Sequence, residues 1–156
     1  MALTTNKNFL SPVGFNFKID NTSFPNLEYF CTAVTLPGIN LGDVPVPYKG
    51  VNLAFTGDRM GFDDLAVRFN VTENMENYIE TFQWLSNSAQ KSDADKNYKF
   101  DAVLQIMSSH NNVNKEIAFS GVFPISLSAV EFNAQNTDIE YVQADLVLKY
   151  TSFEFR

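Results

Sequence analysis

Apolar and polar residues alternate strictly along several stretches of the chain, a period that predicts strands with one buried face. Val13, Phe15, Phe17 and Ile19 alternate with Gly14, Asn16 and Lys18, and Leu65, Val67, Phe69 and Val71 with Ala66, Arg68 and Asn70. Between them, residues 27–36 (LEYFCTAVTL) read as a strand apolar on both faces, broken by Leu36-Pro37-Gly38, and Val51, Leu53 and Phe55 alternate with Asn52, Ala54 and Thr56. The period then changes. From Asn74, the residues Met75, Tyr78, Ile79, Phe82 and Leu85 fall at helical spacing and predict a helix over 74–88 with one apolar stripe. Glu73 and Glu76 stand near its start, where the helix dipole favours acids. The polar run SNSAQKSDADKN follows, the segment expected to move most.

Alternation resumes with Phe100, Ala102, Leu104 and Ile106, and His110-Asn111-Asn112 marks a hairpin tip leading into Ile117 and Phe119. Val130 and Phe132 predict a short strand. In the last run Val142, Ala144, Leu146, Leu148 and Tyr150 share a face, whereas Phe153 and Phe155 take the opposite phase; such a flip requires a bulge or a change of partner. The expectation is seven or eight antiparallel strands with one helix between the fourth and fifth. Sheets this apolar must cover one another, so the fold class is mainly β, a two-sheet antiparallel β-sandwich with one flanking α-helix. No internal repeat or linker divides residues 1–156, and a chain of this length buries roughly 70% of its unfolded surface as one domain.

Composition sharpens this picture in three respects. The 15 Phe in an aromatic share of 14% suit pleated, half-buried surfaces. A net charge of −7 argues against adhesive contact with nucleic acid, which rests on Lys and Arg neutralising phosphates. One cysteine, Cys31, permits no internal disulfide and reads as a small buried hydrophobe. No apolar run approaches the ~18 residues of a membrane span and no leader pattern opens the chain, which reads as a soluble protein made in a cytoplasm, without membrane binding.

Catalytic chemistry finds little support. The single histidine, His110, lies in an Asn-rich turn, where no third group would hold it rigidly for a Ser-His-Asp arrangement. No phosphate loop is present, because the glycines at 57 and 61 have the wrong spacing and no Lys-Ser/Thr follows. The acid-rich stretch GDRMGFDDLAVRF is the most distinctive piece of the chain. Asp58, Asp63 and Asp64 lack the alternate acids and closing Glu of a calcium loop, and a general acid–base pair would need a supporting pocket. The third reading is structural: the forked donors of Arg59 suit pairing with Asp63 or Asp64, within the loop or across a subunit boundary. Residues 27–36, 44–55 and 139–155 carry apolar side chains on both faces, so a second copy is expected to cover what one two-layer domain leaves bare.

In order along the chain, Cys31-Thr32-Ala33-Val34-Thr35-Leu36-Pro37-Gly38, Val44-Pro45-Val46, Gly57-Asp58-Arg59 and Phe62-Asp63-Asp64-Leu65 resemble the tail tube proteins of contractile-tailed bacteriophages of the T-even type. The likeness continues through Phe82-x-Trp84, Lys115-Glu116-Ile117, Gly121-Val122-Phe123-Pro124 and Leu146-Val147-Leu148-Lys149-Tyr150, and spans nearly the whole chain.

The resemblance implies a structural, non-enzymatic virion protein without cofactor or metal. Hexameric rings, whose inner sheets close a β-barrel, would stack into a tube around a tape measure protein and within a contractile sheath. A baseplate initiator and a tail terminator would bound the tube, assembled in the host cytoplasm, and genomic DNA would pass through without specific binding. A hairpin over about 37–64 would reach a neighbouring ring or subunit, with Gly57, Asp58, Arg59, Phe62, Asp63 and Asp64 at that junction. Thr32, Val34, Asn52, Ala54, Thr56, Asp101, Gln105, Glu116 and Ser120 would face the lumen, and Glu76 and Glu80 on the helix would face the sheath. Two other readings remain open: the tube of a bacterial contractile injection system, of type VI or bacteriocin kind, and a monomeric β-sandwich module binding carbohydrate or calcium.

Overall fold

The computed structural model describes residues 2, 4–19, 24–90, 98–138 and 140–156. Most of the segment expected to move most, residues 91–97, lies outside the described residues. Nine strands and two helices are present among the described residues: β1 (Phe15–Lys18), α1 (Pro25–Tyr29), β2 (Cys31–Thr35), β3 (Ile39–Tyr48), β4 (Val51–Phe62), β5 (Leu65–Asn70), α2 (Glu76–Ala89), β6 (Phe100–Met107), β7 (Val113–Leu127), β8 (Gln143–Lys149) and β9 (Ser152–Phe155). The fold is mainly β and every strand pair is antiparallel.

One sheet runs in the order β1-β6-β7-β8-β5-β2, and β9 adds to β7. It divides into two sections that share β7. The first half of β7 pairs with β6 and β9, and its second half pairs with β8. The bend falls at Gly121, with φ of +66°, opposite the break between β8 and β9, where Thr151 N–H donates to the Ser120 carbonyl at 2.9 Å. Strands that switch sheets at a bulge make the corners of folded sheets. This corner is the phase flip anticipated between Tyr150 and Phe153. Phe17, Leu104, Ile117 and Phe119 from one section meet Leu65, Val67, Phe69, Leu146 and Leu148 from the other in a single core. The end strands β1 and β2 do not pair with each other, so the chain alone closes no barrel.

Three expectations fail for identifiable reasons. Residues 27–36 are not one strand: Pro25 stands in the first turn of α1, where its missing N–H costs nothing, and Leu27 is buried from that turn. The expected single helix is therefore two. The strand at Val130 and Phe132 does not form; residues 128–138 and 140–142 are irregular and Phe132 is exposed.

Helix α2 exists but buries a different face. Ile79 and Phe82 of the expected apolar stripe are 46% and 57% exposed, whereas Asn77, Thr81 and Trp84 are buried. The reason is satisfied polarity. Asn77 donates to the Asn70 carbonyl at 2.6 Å and accepts from the Thr72 and Tyr78 N–H groups, and Thr81 donates to the Asn77 carbonyl at 2.8 Å. The Trp84 indole N–H donates to the Tyr98 carbonyl at 2.8 Å, and its ring lies against Phe24 and Phe100. A buried polar group with its partners in place costs little, whereas a hydropathy stripe cannot register the partners.

Candidate assembly surfaces

Strands β3 and β4 form a two-stranded sheet of their own, apart from the main sheet. Its tip is the pair Lys49-Gly50, with φ of +46° and +79°, a two-residue turn of the I′ kind that matches strand twist. Partway down, the register shifts between Leu41 and Asp43, and Gly57 packs so closely on the Gly42 carbonyl that any Cβ there would collide with it. This explains the glycine that opens the Gly-Asp-Arg motif. In the outer half, Val44, Val46, Tyr48, Val51, Leu53 and Phe55 share one face of the ladder; Asp43, Pro45, Pro47, Asn52, Ala54 and Thr56 share the other. The first set is 40–63% exposed, an apolar surface that the chain itself leaves uncovered.

The root is fastened differently. Phe62 packs edge-on against Tyr150 and Phe153, at 5.9 and 5.4 Å between ring centroids. The Tyr150 hydroxyl donates to the Asp63 carbonyl at 2.8 Å, and Asp63 N–H donates to the Gly38 carbonyl at 3.0 Å. Burial first, then the negative Asp63 and Asp64, push the Tyr150 phenol up to about 12. Lys149 lies 3.9 Å from Asp64, an exposed and weak pair.

The six residues expected at an inter-subunit junction therefore separate. Phe62, Asp63 and Asp64 make contacts within the chain at the root, and the tip is residues 48–51 rather than 57–64. Asp58 and Arg59 stay exposed on β4. Within the chain, the pairing of Arg59 with Asp63 or Asp64 does not form; Arg59 makes no ion pair among the described residues.

Of the residues expected to face a lumen, four come together. Inward Ala102, Leu104, Ile117 and Phe119 leave Asp101, Gln105, Glu116 and Ser120 on the outward face of β6 and β7. There Gln105 donates to Glu116 at 2.9 Å, and Asp101 accepts from the Gly121 N–H at 3.2 Å. Thr32 lies on β2 in the other section, where it donates to the Arg68 carbonyl at 3.2 Å, and Val34 packs against the core. Asn52, Ala54 and Thr56 lie on the hairpin. Asn16, Lys18 and Glu154 belong beside the four but escape sequence reading, because only the registers Asn16–Gln105, Lys18–Val103 and Ala118–Glu154 place them there.

On α2, Glu76 is exposed, but Glu80 is half-buried and accepts from the Asn26 side chain at 2.8 Å, tying α1 to α2. The outward positions are Glu76, Ile79, Phe82, Gln83 and Asn87. His110 sits exposed in its turn. Burial pushes the Cys31 thiol up to about 11, which leaves it a poor nucleophile. No three of the His, Cys, Asp and Glu side chains gather as metal ligands among the described residues.

A family model described as phage tail tube protein matches residues 2–156. The tail tube protein of Serratia phage KSP90 is 33% identical over 119 residues, covering 73% of this chain and 66% of the relative, so the chain spans just under two thirds of that protein's length. Among solved structures, a chain of the PVC sheath–tube complex of an extracellular contractile injection system in its extended state superposes with a TM-score of 0.71 at 14% identity, over 99% of both chains. The tube-terminating cap of the anti-feeding prophage gives 0.72 at 13% identity, over 99% of this chain and 95% of that one. Hcp1 from Flavobacterium johnsoniae gives 0.55 at 9% identity, over 94% of each. At such identities these structures speak for the fold, while the family match rests on the sequence itself: the chain belongs to the phage tail tube protein family.

Proposed function

We propose that the chain, acting as a single tail-tube domain over residues 1–156, is the repeating structural subunit of a phage tail tube. Six copies close a ring whose inner sheets form a barrel, and rings stack into a conduit for the genome inside a contractile sheath. The observation that carries this reading, beside the family match, is the apolar outer face of the β3–β4 hairpin. A two-stranded ribbon with a bare apolar face is marginal alone in water and is a liability unless identical neighbours cover it. Ring closure removes such edges.

The outward face with Asp101, Gln105, Glu116 and Ser120 suits a lumen wall. It is polar, and Lys18 is outnumbered there by Asp101, Glu116 and Glu154, so DNA would slide with little of the counterion release that holds it to basic surfaces. The exposed side of α2, with Glu76, Ile79 and Phe82, is the candidate sheath contact; Glu80 is committed to Asn26. A tape measure protein, a baseplate initiator and a terminator complete the set of partners, with assembly in the host cytoplasm before incorporation in the virion tail. Solved neighbours include a sheath–tube complex and a tube cap, which is consistent with partners of this kind.

Negative-stain electron microscopy of the concentrated protein, alone and with a baseplate initiator, tests the reading. Six-membered rings or hollow filaments are expected; compact single particles under both conditions would overturn it. A bacterial injection tube is the second reading, favoured by the injection-system neighbours. Intact purified particles that carry no DNA-filled head before discharge would select it.

A further inference from the structure

The two edges of the hairpin are not equivalent, and this rests on the tube-forming reading above. In a hairpin closed by a two-residue turn, the residues flanking the turn exchange both hydrogen bonds, and the pattern alternates down the ladder. Tyr48–Val51, Val46–Leu53 and Val44–Phe55 therefore bond to each other, while Pro47–Asn52, Pro45–Ala54 and Asp43–Thr56 turn their backbone groups away from the ladder. Pro45 and Pro47 have no N–H to present, so the outer edge of β3 is closed to another strand. The outer edge of β4 presents the N–H and C=O groups of Asn52, Ala54 and Thr56. One edge is blocked and the other is open.

A ring built head to tail needs a donor edge on each copy and a different acceptor edge on the next. Three strands end the main sheet: β1, β2 and β9. The edge of β1 is covered at Phe17, which is 1% exposed. Strand β2 carries a register shift between Cys31 and Ala33, and bulged edges resist strand addition. Strand β9 keeps a regular register with β7, and Arg156 and Glu116 exchange both backbone bonds, at 2.8 and 3.3 Å. By alternation Glu154 also faces β7, and Phe153 and Phe155 direct their backbone groups outward. The Phe155 side chain is itself exposed.

We infer that the open β4 edge of one copy, at Asn52, Ala54 and Thr56, adds as a strand to the β9 edge of a second copy, at Phe153 and Phe155. Each proposed contact is made by the main chain, so proline is the selective probe. Ala54→Pro removes an outward N–H without breaking a β3–β4 bond, and Phe155→Pro does the same opposite β7. Ala54→Ser and Phe155→Ala keep the N–H and serve as controls.

Assembly is followed by sedimentation velocity and electron microscopy, with circular dichroism melts to verify the subunit fold. Both proline variants are expected to keep the wild-type melt and to lower the subunit association constant at least about tenfold relative to their controls. Tubes from Ala54→Pro equal to those of Ala54→Ser would overturn the donor edge. A deficient Ala54→Pro beside a fully competent Phe155→Pro would overturn β9 as acceptor. A wild-type protein that stays monomeric throughout would overturn the tube reading, and this inference with it.

Discussion

Gly121 occupies a left-handed backbone position, and a Cβ there would also lie 2.9 Å from the Thr151 hydroxyl. Only glycine takes both demands without strain. Gly121→Ala is expected to cost about 1–2 kcal/mol from the backbone alone, read as a lowered midpoint in thermal unfolding. Tyr150 is the second residue with a specific signature. Its phenol is held above the ordinary 10.0, up to about 12, by burial and by Asp63 and Asp64. Because the folded state favours the protonated phenol, its contribution is complete below about pH 10 and is lost as pH rises through about 12. Tyr150→Phe should remove this alkaline step from a stability-versus-pH series, and cost at most about 1 kcal/mol at neutral pH for the lost bond to the Asp63 carbonyl. An unchanged alkaline limb in the variant would assign the step elsewhere.

Helix α2 illustrates what governs an element. Its apolar periodicity located it to within a residue or two, yet chose the wrong face. Asn77 is fully buried because three hydrogen bonds join it to Asn70, Thr72 and Tyr78, which fixes the entry of the helix against the end of β5. Asn77→Leu would raise the hydrophobicity of the buried face and still destabilise the protein, by about 1–3 kcal/mol, because it strands the Asn70 carbonyl and the Thr72 N–H. Urea unfolding measures this; an equal or higher midpoint would mean those groups find water. The short α1 teaches a related lesson. LEYF is apolar enough for either element, and Pro25 at the helix start, together with the pocket for Leu27, decides in favour of a turn of helix.

At the scale of the whole molecule, burial is uneven. The folded sheet encloses its core well, while the hairpin from Ile39 to Met60 stays open to solvent apart from a partly covered Gly57. Stability and assembly should therefore be separable by mutation. The double variant Leu53→Glu, Phe55→Glu places charge on the bare face without touching the core, so the subunit should unfold within about 0.5 kcal/mol of wild type. Its capacity to form rings or tubes should be abolished, because two charges would be buried unpaired at each contact. Normal tubes from this variant by electron microscopy would move the covering contact to another face.

Strand positions in the core were legible in the chain because the period of two survives wherever one face of a strand packs on its own molecule, as at Phe15–Phe17, Leu65–Phe69 and Ala144–Leu148. The same period marked Val51, Leu53 and Phe55, but alternation registers only that a face is apolar, and is silent on which molecule covers it. The corner at Gly121, the gathering of Asp101, Gln105, Glu116 and Ser120, and the internal use of Phe62, Asp63, Asp64 and Glu80 depended on pairing register and on hydrogen-bond partners distant in sequence. Those are properties of the folded chain: local sequence sets which side a residue turns to, and long-range contacts decide what it meets there.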